Sequence, residues 1–397
     1  PVRQHFITKI VTLLKLLFPN QAENIMTNVF LFGTLCWQPL LKRVAGQTCP
    51  KLESAVLDGF GVTCAKGHSF PAIHQGVNEK TKGLLLRDCD EHVLLHLDHY
   101  ESGFAYQRPP ITLQTPPGLI SAKVYLPPKG IEPGGPWSLK NWEREHGQLA
   151  LEAAQEVMAV QGKMSATEMM QRYPMMLVRA NARINARKDA SPRSASALAL
   201  NDIQVHSRRR PYIDFFTVEE ADISVPRFSG SKMGNLKRAG FVGADAAIVL
   251  PYDPKTDRVL LIEQFRFGPF LRDDPNPWMM EPIAGRIDPN EEPEQTAYRE
   301  SLEEAGIVLY DLLKVHSGYA SPGASTDYFH IFIGLAVIEK NSAILGGLPS
   351  EAEDIKGHVM SFEEFFAMLQ AGELPVSPLA LAGYWLASNR SRLRGNS

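Results

Sequence analysis

The chain has 397 residues, with 41 lysines and arginines against 44 aspartates and glutamates and a formal net charge of −3. That length exceeds what one hydrophobic core usually fills, which predicts two folded units with a connection between them. The balance of charge excludes a long-range field for nucleic acid or an acidic membrane, so an anionic ligand has to be held by local groups.

Residues 6–18 form an apolar stretch that is interrupted by Lys9 and Lys15 and is too short to cross a bilayer. No small-residue cleavage site follows, and Met26 stands just before the first strand-like run. Residues 1–25 are therefore expected to be an accessory amphipathic segment or an over-extended start, and the protein to be soluble and cytoplasmic. Cys36, Cys49, Cys64 and Cys89 form no C-x-x-C pair and lack a matching histidine spacing, which predicts reduced core residues rather than disulfides or a zinc site.

Residues 29–35 read as a buried strand entering a turn at Gly33, Thr34 and Leu35. Strand-like runs at 54–63, 83–87 and 111–125 predict a small mixed or all-β unit over residues 26–128. The cluster Pro127, Pro128, Gly130, Pro133, Gly134, Gly135 and Pro136 ends it. From Ser138 to about Arg187 the apolar residues Trp142, Leu149, Ala153, Val157 and Met158 recur at helical steps. Arg179, Arg183, Arg187 and Lys188 near the end of that run read as a solvated helix face rather than a nucleic-acid stripe. Residues 189–197 read as a linker, so 129–200 form a helical connector. Over residues 201–397 strands are predicted at 246–250, 259–262 and 328–337, and helices at 293–305, 362–371 and 378–388.

The residues that carry chemistry lie in this last region. Gly285 is followed after five residues by Glu291, and seven residues later come Arg299, Glu300, Ser301, Leu302, Glu303, Glu304, Ala305, Gly306 and Ile307. They fit the pattern G-x5-E-x7-R-E-U-x-E-E-x-G-U, where U is aliphatic, and only Ser301 departs from it. Pro293 suits a first helical turn and Gly306 the position past the last, so the sequence brackets its own helix. At about 100° per residue, Glu303 and Glu304 flank Glu300 on one face. Glu300 and Glu304 are a like-charge i,i+4 pair that costs an isolated helix a few tenths of a kcal/mol, and a divalent cation removes that penalty. Ligands that offer only oxygen select magnesium or manganese over zinc. Arg299 is placed to pair with Glu291 or Glu303. A merely solvated acidic helix would leave the glycine loop and Arg299 unexplained.

These residues resemble the Nudix hydrolases and, within them, the ADP-ribose pyrophosphatases. The likeness runs over nearly all of residues 203–390. It includes the lead-in from His206 to Arg210, the run Asp214, Phe215 and Phe216, the strand from Leu261 to Arg266 and the run from Trp278 to Gly285. Pro322, between Ser321 and Gly323, stands sixteen residues past Gly306, where that group places a proline. The resemblance implies an α/β/α sandwich and a domain-swapped homodimer that cleaves ADP-ribose to AMP and ribose 5-phosphate. It implies that Glu300, Glu304 and the carbonyl of Ala284 hold the metal, with Glu303 joining them. It gives the general base to Glu351, or to Glu353 if the register shifts by two. Phe215 and Arg238 would hold the adenine and Arg266 a phosphate. Asp327 would lie near the terminal ribose, where the family usually carries a glutamate. A nucleotide sugar or NADH as substrate, and a binding protein that senses a nucleotide, are the competing expectations.

Nearer the N-terminus, Phe32 to Leu35, Leu97 to Glu101 and Tyr106 to Arg108 resemble the gamma-glutamylcyclotransferase-like (AIG2-like) fold over residues 28–126. That resemblance implies a small mixed β-barrel-like domain. It also implies that the backbone of Gly33, Thr34 and Leu35 binds a substrate carboxylate while Glu101 shuttles a proton. Phe32 replaces the usual tyrosine, and an inactive binding or dimerisation module is the alternative. The whole is thus expected to be α+β, with an α/β C-terminal half joined to the barrel by the helical connector.

Overall fold

The computed structural model describes residues 26–46, 51–103, 106–128, 130–188, 198–339, 345–347 and 353–395. It divides into two compact units, Pro1–Met176 and Leu177–Ser397. The predicted accessory segment 1–25, the linker 189–197, Cys49 and Glu351 lie outside the described residues.

The first unit is built on β1 (Thr27–Leu31), whose side chains at Val29, Phe30 and Leu31 are buried. It pairs parallel with β5 (Gly118–Val124) and antiparallel with β3 (Pro71–Cys89). A turn at Pro116 and Pro117 splits the run predicted at 111–125 into β4 (Pro110–Thr115) and β5. Strand β2 (Leu52–Ala65) pairs with both β3 and β4, which closes five strands into a barrel, and β6 (Pro133–Pro136) adds to β2. Phe30, Leu57, Ile73, Leu85, Leu113 and Val124 fill it, with Phe32 packed against them. Helices α1 (Gln38–Ala45) and α2 (Glu91–Ser102) pack against each other outside the barrel.

The strand predicted at 83–87 is only the end of the 19-residue β3. Residues 74–82 of that strand are mostly exposed and polar, so the backbone pairing of 74–75 and 80–82 with β2, not a buried face, holds them in the strand. Cys36, Cys64 and Cys89 are free, as predicted, but only Cys89 is fully buried.

The predicted helical stretch resolves into α3 (Leu139–Trp142), a π-helical turn at Glu143–Gly147, α4 (Gln148–Ala159) and α5 (Ala166–Lys188). One expectation there is overturned. Arg179 does not lie on a solvated face: it is 1% exposed, because its guanidinium turns inward to a backbone carbonyl.

In the second unit, after the end of α5, comes an antiparallel sheet of β7 (Gln204–Ile213), β8 (Thr217–Pro226) and β9 (Lys232–Val242). The main sheet is mixed. Its central strand β10 (Asp245–Asp253) runs parallel to β15 (Tyr328–Ala336), and β14 (Leu309–Tyr319) lies outside β15. On the other side are β11 (Arg258–Phe265), which is followed by the short helix α6 (Phe267–Leu271), then β17 (Ile355–Ser361) and the two-residue β16 (Leu345–Gly346). Alternation along β10 sorts the core into two layers, since successive strand residues face opposite sides. Ala247 and Val249 join Leu260, Ile262, Ala297 and Ala305 under helix α7 (Pro293–Ala305). Ile248 and Leu250 join Phe365, Leu369, Leu379 and Leu386 from α8 (Phe362–Ala371) and α9 (Ser377–Leu393). This is the α/β/α arrangement. Among the described residues no helix is long and apolar enough to cross a membrane.

One irregularity of the sheet positions the chemistry. Strands β10 and β11 pair with each other only at their turn, through Tyr252 with Val259 and Asp253 with Arg258. Beyond it they part to admit β12 (Trp278–Glu281), which pairs with β11, and β13 (Ile283–Arg286), which pairs with β10. Pro282 marks the crossing between the two, where a residue without an N–H costs no ladder bond.

Candidate active site

Helix α7 has the predicted bounds because its ends are set locally. Pro293 stands in its first turn, and the Glu292 amide donates to Oε1 of Gln295 at 2.8 Å. Gly306 ends it in the left-handed region, φ 61°, which glycine adopts without steric cost. Ser301, the one departure from the pattern, is fully buried, and its hydroxyl donates to the carbonyl of Ala297 at 2.7 Å. A hydrogen bond back along the helix thus satisfies the polar atom where an aliphatic side chain is usual.

The strand β13 presses against the acidic face of this helix. The Ala284 amide donates to Oε2 of Glu304 at 3.2 Å. Burial pushes the Glu304 carboxyl up to about 8; the Ala284 amide and Arg266 oppose that shift, and Glu300 and Glu353 add to it. Arg299 holds the rest together. Its Nε and Nη2 donate to the two oxygens of Glu291, each at 3.0 Å, and its Nη1 reaches Glu300 at 2.7 Å and Glu303 at 3.0 Å. Nη2 also donates to the carbonyl of Arg286 at 3.3 Å. Glu291 accepts the Thr296 hydroxyl at 2.6 Å as well. Among the described residues no three side chains are already gathered as cation ligands, since Arg299 takes up the oxygens of Glu300 and Glu303.

The structure brings several other predicted residues around this cluster. Arg266 pairs through Nε with the buried Glu281 at 2.6 Å. Gly347 lies against Glu353, and its amide donates to the carbonyl of Glu303 at 3.5 Å, so Gly347 links Glu353 to the end of α7. The ring of Phe215 lies under the Arg286 guanidinium, whose carbon is 4.6 Å from the ring centroid. Pro322 occupies the turn closed by the Ala324 amide on the Ser321 carbonyl at 3.0 Å. Asp327 accepts the Ser325 hydroxyl. That loop is tied to β9, where the Phe241 amide donates to the Ala324 carbonyl at 2.8 Å and the Thr326 amide returns to the Phe241 carbonyl at 3.0 Å. Arg238 is exposed on β9, and its Nη1 donates to the carbonyl of Lys237 at 2.9 Å.

Sequence reasoning missed Arg286, which fills a freely varying position of the pattern, and Glu281, whose only signal was its place beside Pro282. It also missed Asp245, which accepts the Asn185 amide at 3.2 Å and which burial pushes up to about 6.

In the first unit the turn after β1 is a short 3-10 helix, Thr34–Cys36, closed by the Cys36 amide on the Gly33 carbonyl at 3.0 Å. A β-carbon on Gly33 would stand 2.7 Å from Cγ of Pro71, and Leu35 is buried. Glu101 lies in the last turn of α2, a helix started by the Asp90 side chain on the Val93 amide at 2.8 Å. Burial pushes its carboxyl up to about 8. Tyr106 and Tyr125 are raised too, first by burial, with the Glu101 charge contributing to both. Tyr125 donates to Asp98 at 2.7 Å, and Arg108 holds the same oxygen at 2.9 Å.

A family model for the NUDIX domain matches residues 243–380, and one for gamma-glutamyl cyclotransferase, AIG2-like, matches residues 29–144. The chain is 33% identical over 195 residues to an ADP-ribose pyrophosphatase of Haemophilus influenzae, which covers 49% of this chain and 89% of that protein. It is 32% identical over 194 residues to an ADP-ribose pyrophosphatase of Escherichia coli K12, covering 49% of this chain and 92% of the relative. A GDP-mannose pyrophosphatase of Escherichia coli is 30% identical over 161 residues, covering 41% of this chain and 82% of its own length.

Proposed function

We propose that this chain, which belongs to the Nudix family through its C-terminal half, hydrolyses ADP-ribose to AMP and ribose 5-phosphate with magnesium or manganese. The observation that carries the reading is the buried Glu304, held on the Ala284 amide beside Glu300, Glu303 and their shared Arg299. The donor set fits a hard divalent ion, because Glu300, Glu303, Glu304 and the carbonyl of Ala284 offer only oxygen. When bound, such an ion offsets the charge of a pyrophosphate and makes a water a stronger nucleophile.

The chain's own groups do the rest. Arg299 fixes the rotamers of Glu300 and Glu303, and Arg266, steadied by Glu281, faces the phosphates. The segment carrying Glu351 and Glu353 supplies a carboxylate for the proton of the attacking water, and the charge of Glu353 reaches Glu304. Phe215 and Arg238 receive the adenine, and the loop with Pro322 and Asp327 borders the terminal ribose. The catalytic form is a homodimer of this half. The exposed and mutually packed Phe265, Phe267, Phe270 and Trp278 offer an apolar face for a second copy to cover.

The test is a panel of ADP-ribose, GDP-mannose and NADH, with purified full-length chain and magnesium. ADP-ribose is expected to give the highest kcat/KM, with AMP and ribose 5-phosphate as products. A higher value for GDP-mannose would move the assignment to nucleotide sugars, and no turnover of any of the three would remove it.

A further inference from the structure

Arg179 is an arginine with 1% of its surface exposed, on a helix whose sequence gives no reason for it to face inward. A guanidinium cannot shed its charge, so burying it is costly unless strong acceptors meet it. Its Nη1 donates to the carbonyl of Phe215 at 2.8 Å. Phe215 is exposed for a residue of the site. It lies in the turn between β7 and β8, and the residue is 37% exposed. Its amide is held at 2.6 Å by the adjacent Asp214 carboxylate, and its ring meets Phe216 edge-on with centroids 4.9 Å apart. The Arg179 bond ties the backbone of this turn to a rigid helix. One and a half turns further on, Asn185 of the same helix donates to Asp245, whose carbonyl accepts the Ile287 amide at 3.0 Å. Residues 177–188 therefore brace both the Phe215 turn and the strand end next to Arg286, whose guanidinium lies over the Phe215 ring.

We propose that Arg179 is a positioning residue of the nucleotide site: from the helix that precedes the Nudix fold it fixes the Phe215 turn so that the ring is presented for a base to stack on. The proposal rests on the reading above that Phe215 receives the base. A stacking platform has to be held at a defined height and tilt, because the attraction falls off steeply when the planes separate by even an ångström. An exposed turn does not supply that rigidity, and a buried guanidinium on its carbonyl does.

The experiment uses the full chain and compares binding of AMP with that of ribose 5-phosphate by calorimetry, without divalent metal. The variants are Arg179→Lys, Arg179→Gln, Phe215→Ala and the double variant Arg179→Gln with Phe215→Ala. Arg179→Gln and Phe215→Ala are each expected to weaken AMP on the order of tenfold, the size of one lost base–aromatic stack, while leaving ribose 5-phosphate unchanged. Arg179→Lys, which keeps a charged donor, should recover most of the affinity. The double variant should be no weaker than Phe215→Ala alone, because both changes act through one ring. Equal loss for both ligands, or additive losses in the double variant, would overturn the proposal, since Arg179 would then serve the fold and not the ring. Arg179→Lys tests the same point if the glutamine variant fails to fold. A wild-type chain that binds AMP through Phe215 but does not hydrolyse ADP-ribose would overturn the substrate assignment and leave Arg179 in place. AMP affinity indifferent to Phe215→Ala would overturn the present proposal and the adenine role of Phe215, while leaving the hydrolysis of ADP-ribose untouched.

Discussion

Gly285 lies so close to Glu300 that a β-carbon on it would stand 1.8 Å from Oε1 and 2.3 Å from Cγ of that side chain. The glycine that opens the pattern is thus required by approach of the chain to the acidic helix, not by an unusual backbone angle. Gly285→Ala is expected to push Glu300 off Arg299 and lower metal-dependent kcat by on the order of 100-fold, the scale of an ångström misplacement. The fold should survive, as judged by circular dichroism. Turnover within threefold of the parent would show that the orientation of Glu300 does not matter.

Glu304→Gln tests the neighbouring carboxylate. The amide keeps an oxygen for the Ala284 N–H and removes a charge that burial disfavours. Metal-free thermal stability should therefore be equal to the parent's or higher, while magnesium-dependent hydrolysis falls by at least about 100-fold. Retained hydrolysis would take Glu304 out of the ligand set.

Asp257 sets an acid limit for the C-terminal unit. It accepts the Tyr252 hydroxyl at 2.7 Å and Nε of Arg390 at 2.9 Å, and Arg394 pairs with it as well. Burial alone would raise its carboxyl, but Arg390, Tyr252 and Arg394 bring it from 3.8 down to about 2. Because the folded value is depressed, the stabilisation is complete above the unfolded value and is lost as pH falls from about 4 to 2. That shift corresponds to about 2 kcal/mol. Asp257→Asn should lower the denaturation midpoint at pH 7 and flatten the acid limb below pH 4; an unchanged midpoint would contradict the pairing.

Glu101 has the opposite sign. Its carboxyl is raised from 4.5 to about 8, so the folded first unit favours the protonated form. Stability from this group is full below pH 4.5 and declines as pH rises to about 8, above which it changes no further. Glu101→Gln should remove that decline and make the unit more stable than the parent at pH 9. If the cyclotransferase-like unit is active, the same variant should also abolish release of 5-oxoproline from gamma-glutamyl amines. Identical pH–stability curves for the two proteins would place Glu101 in solvent.

Much of this protein was legible in its sequence where the determinants are local. Pro293 and Gly306 end α7 where expected, and a helix stands at Phe362–Ala371 as expected. The box residues Glu291, Arg299, Glu300, Glu303 and Glu304 do converge, because helical spacing fixes three of them on one face. Residues 74–82 were not legible as strand, since their polar side chains carry no burial signal and only the pairing of 74–75 and 80–82 with β2 extends them. Asp245 and Glu281 were hidden for a related reason: a lone carboxylate reads as solvated until the structure shows what covers it.

The sequence by itself determined the helix, its caps, the spacing of its carboxylates and the oxygen-only character of the donors, all of which depend on residues a few positions apart. Only the tertiary structure decided that β10 and β11 part to bring Ala284 and Gly285 onto that helix, and that Arg179 turns inward to Phe215. Both depend on groups brought together from distant parts of the chain. Composition and periodicity carry no record of which partner a backbone carbonyl or a carboxylate will find once the sheet has formed.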